Sequence, residues 1–285
     1  MKRRLLLAGA LLATGAALAQ APGAARPLKI VVPFGAGTST DIVGRILADA
    51  LGRQLGTGAI VENTPGAGGS IGSEQVARAG ADGQALLLGT VGTHAINPSL
   101  YKRLSYQPLR DFVPLGFIGA TPTLLVVPAG SPWKRVADLG NASGNVNFAS
   151  AGNGTSGHLA GELLNVRLGK SFMHVPYRDG AQAMTELMAG NVQFMFYHPA
   201  AVLPQVRAGK LRAIGASGAK RSAAAPEVPT LPSQRTVVPS LSSTRNHAAV
   251  PVAFVKPEVP AVPASVVTTP AGVILRISWL LVSAT

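Results

Sequence analysis

Two segments of the chain combine glycines with hydroxyl residues where a predicted strand leads into a predicted helix. Lys29–Phe34 is followed by Gly35–Asp41 (GAGTSTD), and Asn147–Ser150 is followed by Ala151–His158 (AGNGTSGH). A helix N-terminus has unpaired backbone N–H groups and the positive end of the helix dipole, so such a junction attracts a carboxylate, sulfate or phosphate. Two junctions about 110 residues apart predict two facing halves of one anion-binding cleft.

Two further loops follow predicted strands in the first half of the chain. Gly89–His94 (GTVGTH) follows a buried strand, so its hydroxyls are candidates for the same cleft, with an ordinary polar loop as the alternative. Pro65–Gly72 is glycine-rich, but it lacks the Gly-Lys-Ser/Thr ending of a P-loop and the last glycine of G-x-G-x-x-G. We interpret Pro65–Gly72 as a tight turn that opens a helix.

Residues suited to catalysis are sparse. Ser156 and His158 resemble part of a serine hydrolase site, but His158 replaces the last glycine of a G-x-S-x-G elbow and is badly placed as the base. The histidines lack H-x-x-x-H and H-E-x-x-H spacing, and no pair of carboxylates stands out in the loops. The sequence therefore predicts a binding protein without metal, cofactor or enzymatic activity. A secreted hydrolase using Ser156 and His158 is the weaker alternative.

The N-terminus has the layout of a secretory signal peptide. Basic residues 2–4 precede an uncharged stretch, Leu5–Ala16, and a small-x-small site that predicts cleavage after Ala19. The chain has no cysteine, which excludes disulfides and thiol chemistry. Its net charge of +13 is scattered and few aromatic residues accompany it, so we expect anionic small ligands rather than nucleic acid.

Strand-like runs alternate with helical patterns from Leu28 to Leu231. The initial order strand, helix, strand, helix, strand predicts a parallel sheet whose ligand-binding loops gather at one edge. Its first helix is predicted to have Thr40 or Asp41 as N-cap. A second series begins near Thr121, which predicts an α/β protein of two lobes with a crevice between them. The predicted units are residues 1–19 (signal peptide), 26–121 (lobe 1, first part), 122–216 (lobe 2), 217–231 (return toward lobe 1) and 232–285 (tail).

The composition changes after Leu231. Residues 232–285 contain seven prolines and one acid, Glu258. Prolines this close together interrupt helices and central strands, so we expect little ordered structure there. The apolar run Val273–Ala284 is about a dozen residues long and contains Arg276, so it is too short to span a membrane.

Several motifs, in order, resemble the periplasmic solute receptors of tripartite tricarboxylate transporters, the TctC or Bug family. The resemblance covers roughly Leu28–Leu231. The motifs that carry it are Val32–Phe34 with the loop that follows, Val61–Asn63 with Pro65–Gly69, Gly89–Leu100, Asn153–Glu162, His174–Tyr177 and Ala208–Arg212.

The resemblance implies a two-lobed, type II periplasmic-binding-protein (Venus flytrap) fold. It implies a monomeric periplasmic receptor that is not an enzyme, binds a mono-, di- or tricarboxylate and delivers it to inner-membrane transporter subunits. The residues expected at the ligand are Phe34, Gly37, Thr38, Ser39, Thr40, Asp41, Thr90, Gly92, Thr93, Ser150, Gly152, Asn153, Gly154, Thr155, His158, Tyr177 and Tyr197.

The chain departs from the family pattern in two places. Tyr197 stands where the family usually has the acid of Phe-Asp-Asn, which favours plain carboxylates over amino acids as ligands. The family also continues after Leu231 with an acidic, helix-rich segment that completes lobe 1. A frame shift near Leu231 would leave that lobe incomplete, so a non-functional receptor product is a second alternative; a divergent C-terminus is the other explanation.

Overall fold

The computed structural model describes residues 26–231 and the backbone of four later strands, β11 (Ala248–Ala249), β12 (Val252–Val255), β13 (Val266–Thr268) and β14 (Ile274–Arg276). The predicted signal peptide lies outside the described residues. So does most of the tail predicted to have little order, namely the residues after Leu231 that do not belong to these four strands. No helix of the described residues is long and apolar enough to cross a bilayer.

The first half of the chain forms the predicted parallel sheet. Its elements are β1 (Leu28–Val32), α1 (Ser39–Leu55), β2 (Ala59–Asn63), α2 (Ser70–Arg78) and β3 (Ala85–Gly89). Strand β1 lies between β2 and β3 and is parallel to both. Ile30 and Val32 pack with Ala48 of α1, whereas Val31 packs with Val76 of α2 on the other face. Burial of β1 on both faces explains its continuous apolar sequence.

The short elements that follow are α3 (Asn97–Leu100), α4 (Pro108–Asp111), β4 (Val113–Phe117) and β5 (Ala120–Thr121). One of them, β4, joins the first sheet. The sheet order is β2-β1-β3-β12-β4, where β12 is Val252–Val255 and runs antiparallel to both neighbours. The expectation of no central strand in the tail is therefore wrong at β12. Pro251 and Pro257 lie just outside these four residues, so the strand keeps its backbone donors.

The second half of the chain forms a separate mixed sheet with the order β10-β6-β9-β7-β8. Its elements are β6 (Leu124–Pro128), α5 (Val136–Gly140), β7 (Asn147–Ser150), α6 (Ser156–Leu168), β8 (Met173–Pro176), α7 (Gly180–Met188), β9 (Phe194–Tyr197), α8 (Pro199–Arg207) and β10 (Leu211–Ala216). Strand β7 is parallel to β8 and β9, so the loops after all three leave the same edge. The α/β prediction is confirmed in both halves.

The segment after β10 packs on the second sheet. Ala225 and Val228 are buried with Leu124 and Val202, and Leu231 is buried with residues of the opposite face. Ala225, Val228 and Leu231 thus add to the second core, and the return of residues 217–231 toward lobe 1 stays a prediction.

The first helix begins earlier than predicted. Thr38 is the N-cap of α1, and its Oγ1 accepts a hydrogen bond from Asp41 N at 3.3 Å. Thr38, Thr40 and Asp41 are all good capping residues, so the pattern alone did not separate them.

We expect Gly161→Ala to destabilise the fold by about 1–3 kcal/mol, because a Cβ at this buried position of α6 would overlap the ring of Phe148. Alanine is the better helix former by about 1 kcal/mol, so a loss of stability isolates the steric effect. Urea unfolding measures this, with Gly130→Ala as the control, since its Cβ would meet nothing within 4 Å. Equal stability of the two variants would contradict the packing described here.

Candidate anion-binding site

The loops at the carboxyl ends of the parallel strands in the two halves meet each other. Tyr101 Oη donates a hydrogen bond to Asn153 O at 3.2 Å. Gly68 packs so closely against the same carbonyl that a Cβ would not fit. The Asp179 side chain lies against Gly35, with its Cγ 2.8 Å from the position of a Cβ on that glycine. The two predicted ligand loops therefore lie at one interface between the lobes.

The first loop is held in shape by its own side chains. Thr38 is buried, and its hydroxyl donates to Gly35 O at 2.7 Å as well as capping α1. Gly37 has a φ of 76°, a left-handed conformation that favours glycine. Phe34 is buried below the loop, and its carbonyl accepts from Asn63 Nδ2 at 3.0 Å.

Asp41 stabilises the same loop rather than offering a free carboxylate. It is buried and accepts hydrogen bonds from Gly37 N at 2.9 Å, Arg45 Nε at 3.0 Å and Asn63 Nδ2 at 2.9 Å. Burial acts to raise the pKa of Asp41, but the hydrogen bonds from Arg45, Gly37 and Asn63 outweigh burial and lower it. Asp41 thus remains an anion whose charge is used inside the loop.

The loop after β3 is also closed internally. Thr90 N donates to Thr93 Oγ1 at 2.9 Å, and Thr93 N donates to Thr90 Oγ1 at 3.4 Å. Tyr106 Oη donates to Thr93 O at 2.6 Å. Thr93 is fully buried, whereas Thr90 is half-buried, so Thr90 is the more accessible of the two hydroxyls.

The second ligand loop repeats this construction. Ser150 is fully buried, and its Oγ accepts from Gly152 N at 3.1 Å. Thr155 Oγ1 donates to Gly152 O at 2.7 Å just before α6 begins. Gly152 and Gly154 have φ values of 112° and 80°, so the loop depends on glycine at both positions.

A stack of three rings supports the second loop from below. The ring of His174 lies between those of Phe148 and His158, with centroid distances of 4.9 and 4.1 Å. His174 Nε2 is 2.7 Å from Ser150 Oγ, and His158 Nδ1 accepts from Gly154 N at 3.2 Å. The two histidines therefore fix opposite ends of the loop.

Both histidines of the stack favour the neutral form. Burial, with the neighbouring His158, lowers the pKa of His174 to about 4. Burial also lowers the pKa of His158, against the opposing effect of Glu162. A neutral His158 is needed here because a protonated Nδ1 could not accept from Gly154 N.

The predicted site residues divide into three groups. Thr38, Thr40, Asp41, Thr93, Ser150 and Thr155 are buried, and each of them except Thr40 makes at least one hydrogen bond within its own loop. Phe34, Gly92, Gly152, Gly154 and Tyr197 are buried by packing. Gly37 and Asn153 are exposed, and Ser39, Thr90, His158 and Tyr177 are half-buried. A ligand can reach the polar groups of these exposed and half-buried residues.

The hydrolase alternative finds no support in this geometry. Ser156 Oγ is 3.4 Å from His198 Nε2, whereas His158 bonds to Gly154 N. His198 Nδ1 is buried and has no partner among the described residues, so no carboxylate orients this ring as in a catalytic triad. The described residues also contain no group of His, Asp and Glu that could hold a metal ion.

Sequence reasoning missed Asp179, His174 and Tyr101 as neighbours of the ligand loops. Asp179 follows β8 at the predicted ligand edge, so its place after a strand was an available signal. His174 lies within a strand, and its contact with Ser150 depends on the pairing of β7 with β8. Tyr101 reaches Asn153 only through the meeting of the two lobes.

The chain matches the family model described as the tripartite tricarboxylate transporter family receptor, TctC, over residues 43–268. This match extends past Leu231. BugT of Bordetella pertussis is 36% identical over 73% of this chain and 65% of its own length. A Rhodopseudomonas palustris protein with adipate has a TM-score of 0.77 at 29% identity, covering 83% of this chain and 79% of that one. MatC from the same organism with bound malate has a TM-score of 0.73 at 28% identity, covering 83% and 80%.

We expect His174→Gln to flatten the dependence of stability on pH. In the native protein His174 has a pKa of about 4, whereas an unfolded histidine binds a proton near pH 6.5. The free energy of unfolding should therefore fall as the pH is lowered from about 6.5 toward 4, and the variant should lose this part of the fall. Urea unfolding of both proteins at several pH values between about 6.5 and 4 measures this difference. An NMR titration in which the His174 ring of the native protein binds a proton near pH 6.5 would contradict the buried stack.

Proposed function

The chain belongs to the TctC family of tripartite tricarboxylate transporter receptors, and on this basis we propose that it is a periplasmic solute-binding protein that captures a small carboxylate. The observation that carries the proposal is that the loops preceding α1 and α6 both lie at the interface between the lobes, and that each loop is already internally hydrogen-bonded. A ligand carboxylate supplies the acceptors that these helix ends lack.

The free donors are backbone N–H groups in the first turns of α1 and α6. Among the described residues, no hydrogen bond uses the N–H of Ser39 or Thr40, or that of Ser156 or Gly157. Ser39 Oγ is also buried without a partner in this part of the chain. Unpaired helix N–H groups together with the helix dipole favour a bound anion.

These donors are neutral, which suits a ligand that must be released again. The stretches 35–41, 90–94 and 150–158 contain no lysine or arginine. Binding by amides and hydroxyls alone gives charge-assisted hydrogen bonds without an ion pair. The adipate and malate complexes of the two structural neighbours support a dicarboxylate-sized ligand.

The remaining parts of the proposal follow from the family and the N-terminus. The predicted signal peptide directs the chain to the periplasm, where it acts as a monomer. There it delivers the bound acid to the membrane subunits of the transporter, and it performs no chemistry on that acid.

We expect the purified mature chain to gain thermal stability in the presence of its ligand. A ligand at about 100 times its dissociation constant stabilises by about 2.7 kcal/mol, which raises the melting temperature by several degrees. Thermal denaturation with a panel of mono-, di- and tricarboxylates measures this, with chloride at equal ionic strength as the control. No increase with any acid of the panel would contradict the proposed function.

We expect Ser39→Pro and Ser156→Pro each to weaken carboxylate binding by about tenfold or more, because proline removes one backbone donor aimed at the anion. Both serines occupy the first helical position, where proline is well tolerated. The matched controls Ser39→Ala and Ser156→Ala keep the N–H and remove only the hydroxyl. Isothermal titration calorimetry compares the four variants; unchanged affinity in both proline variants would exclude the helix N-termini as the anion site.

A further inference from the structure

Asp179 places a carboxylate beside the first ligand loop. Its Oδ1 caps α7 by accepting hydrogen bonds from Ala181 N and Gln182 N, both at 2.9 Å. Its Oδ2 lies 2.9 Å from the position that a Cβ of Gly35 would occupy. Because one oxygen is committed to the helix and the other faces the opposite lobe, the carboxylate forms part of the wall between the lobes.

Tyr197 lies beside the residue that follows Asp179 and is affected by the charge of this carboxylate. Gly180, which follows Asp179, packs against the Tyr197 hydroxyl so closely that no Cβ would fit. Burial, followed by the negative charge of Asp179, raises the pKa of Tyr197. The Tyr197 hydroxyl therefore stays neutral, and Asp179 carries the only negative charge of these two side chains.

No cation among the described residues neutralises Asp179. None of their ion pairs includes it. Arg45, from the neighbouring helix α1, is bonded to Asp41. Arg178 is adjacent in sequence, but it is exposed and forms no ion pair. An unpaired, half-buried carboxylate repels a second carboxylate nearby and attracts a cation.

We propose that Asp179 determines ligand specificity and that the ligand is a carboxylate that also carries an ammonium group. Its carboxylate binds the N-termini of α1 and α6, and its ammonium group lies against Asp179 Oδ2, next to the Tyr197 hydroxyl. This inference rests on the proposed function. It replaces the expectation of plain carboxylates, because Asp179 supplies the negative charge that Tyr197 does not.

The test compares acids that differ only in an amino group. The matched pairs are succinate and aspartate, glutarate and glutamate, and adipate and 2-aminoadipate. Calorimetry of the mature full chain near neutral pH should give at least one pair in which the amino acid binds about tenfold more tightly or better. In Asp179→Asn that preference should disappear, through weaker amino-acid binding, while the plain acid binds equally well or better.

Control variants distinguish the effect of removing the Asp179 charge from the effect of a damaged fold. Asparagine keeps a side-chain oxygen that can cap α7, so Asp179→Asn should fold. Asp138→Asn removes a carboxylate that also accepts two backbone hydrogen bonds, from Lys134 N and Arg135 N, and should leave the preference unchanged. Plain acids that bind as tightly as their amino partners, or a preference that survives in Asp179→Asn, would overturn the inference and leave the proposed function standing. Binding of no acid at all would overturn both.

Discussion

The backbone N–H groups of Ser39, Thr40, Ser156 and Gly157, in the first turns of α1 and α6, have no hydrogen-bond partner among the described residues. A backbone donor held away from water and unpaired is unfavourable, so native proteins nearly always satisfy it. Two acceptors in the adjoining loops, Asp41 and Ser150, already hold the loops in shape. Asp41 accepts from Gly37, and Ser150 accepts from Gly152. A ligand carboxylate can complete these helix ends, because it carries the charge that the helix dipoles favour.

The polar side chains around the proposed cleft mainly hold its loops in shape. The most buried ones, such as Asp41, Ser150 and Thr155, fix the loops. In the proposed function, the backbone provides most of the hydrogen-bond donors to the ligand. His158 and His174 extend this support by one layer, since each bonds to one end of the second loop. A site built in this way holds its shape before the ligand arrives, which limits the entropy lost on binding.

Regular elements of the fold were predictable because their patterns are local. The apolar runs of β1 and β3 and the helical spacing in α1 and α7 were read directly from the sequence, within a few residues at each end. The cap of α1 was misplaced because three neighbouring residues suit that position. Strand β12 was missed because the prolines of the tail outweighed its four apolar residues.

Only the parts of the candidate site that lie at strand-to-helix junctions could be predicted from the sequence. The two loops and their glycines follow from that rule, and so does the edge of the sheet at which they lie. The contacts of Asp179 with Gly35 and of His174 with Ser150 join residues 144 and 24 positions apart. Such contacts depend on how the strands pair and how the lobes meet, which a single sequence does not encode in any short pattern.

The most direct test of the central claim follows the backbone amide signals of the isotopically labelled mature chain during a titration with malate. Direct binding at both helix ends predicts that the amides of Ser39, Thr40, Ser156 and Gly157 shift together, with one dissociation constant. Shifts confined to one of the two helices, or to residues away from both, would contradict a shared anion site between the lobes.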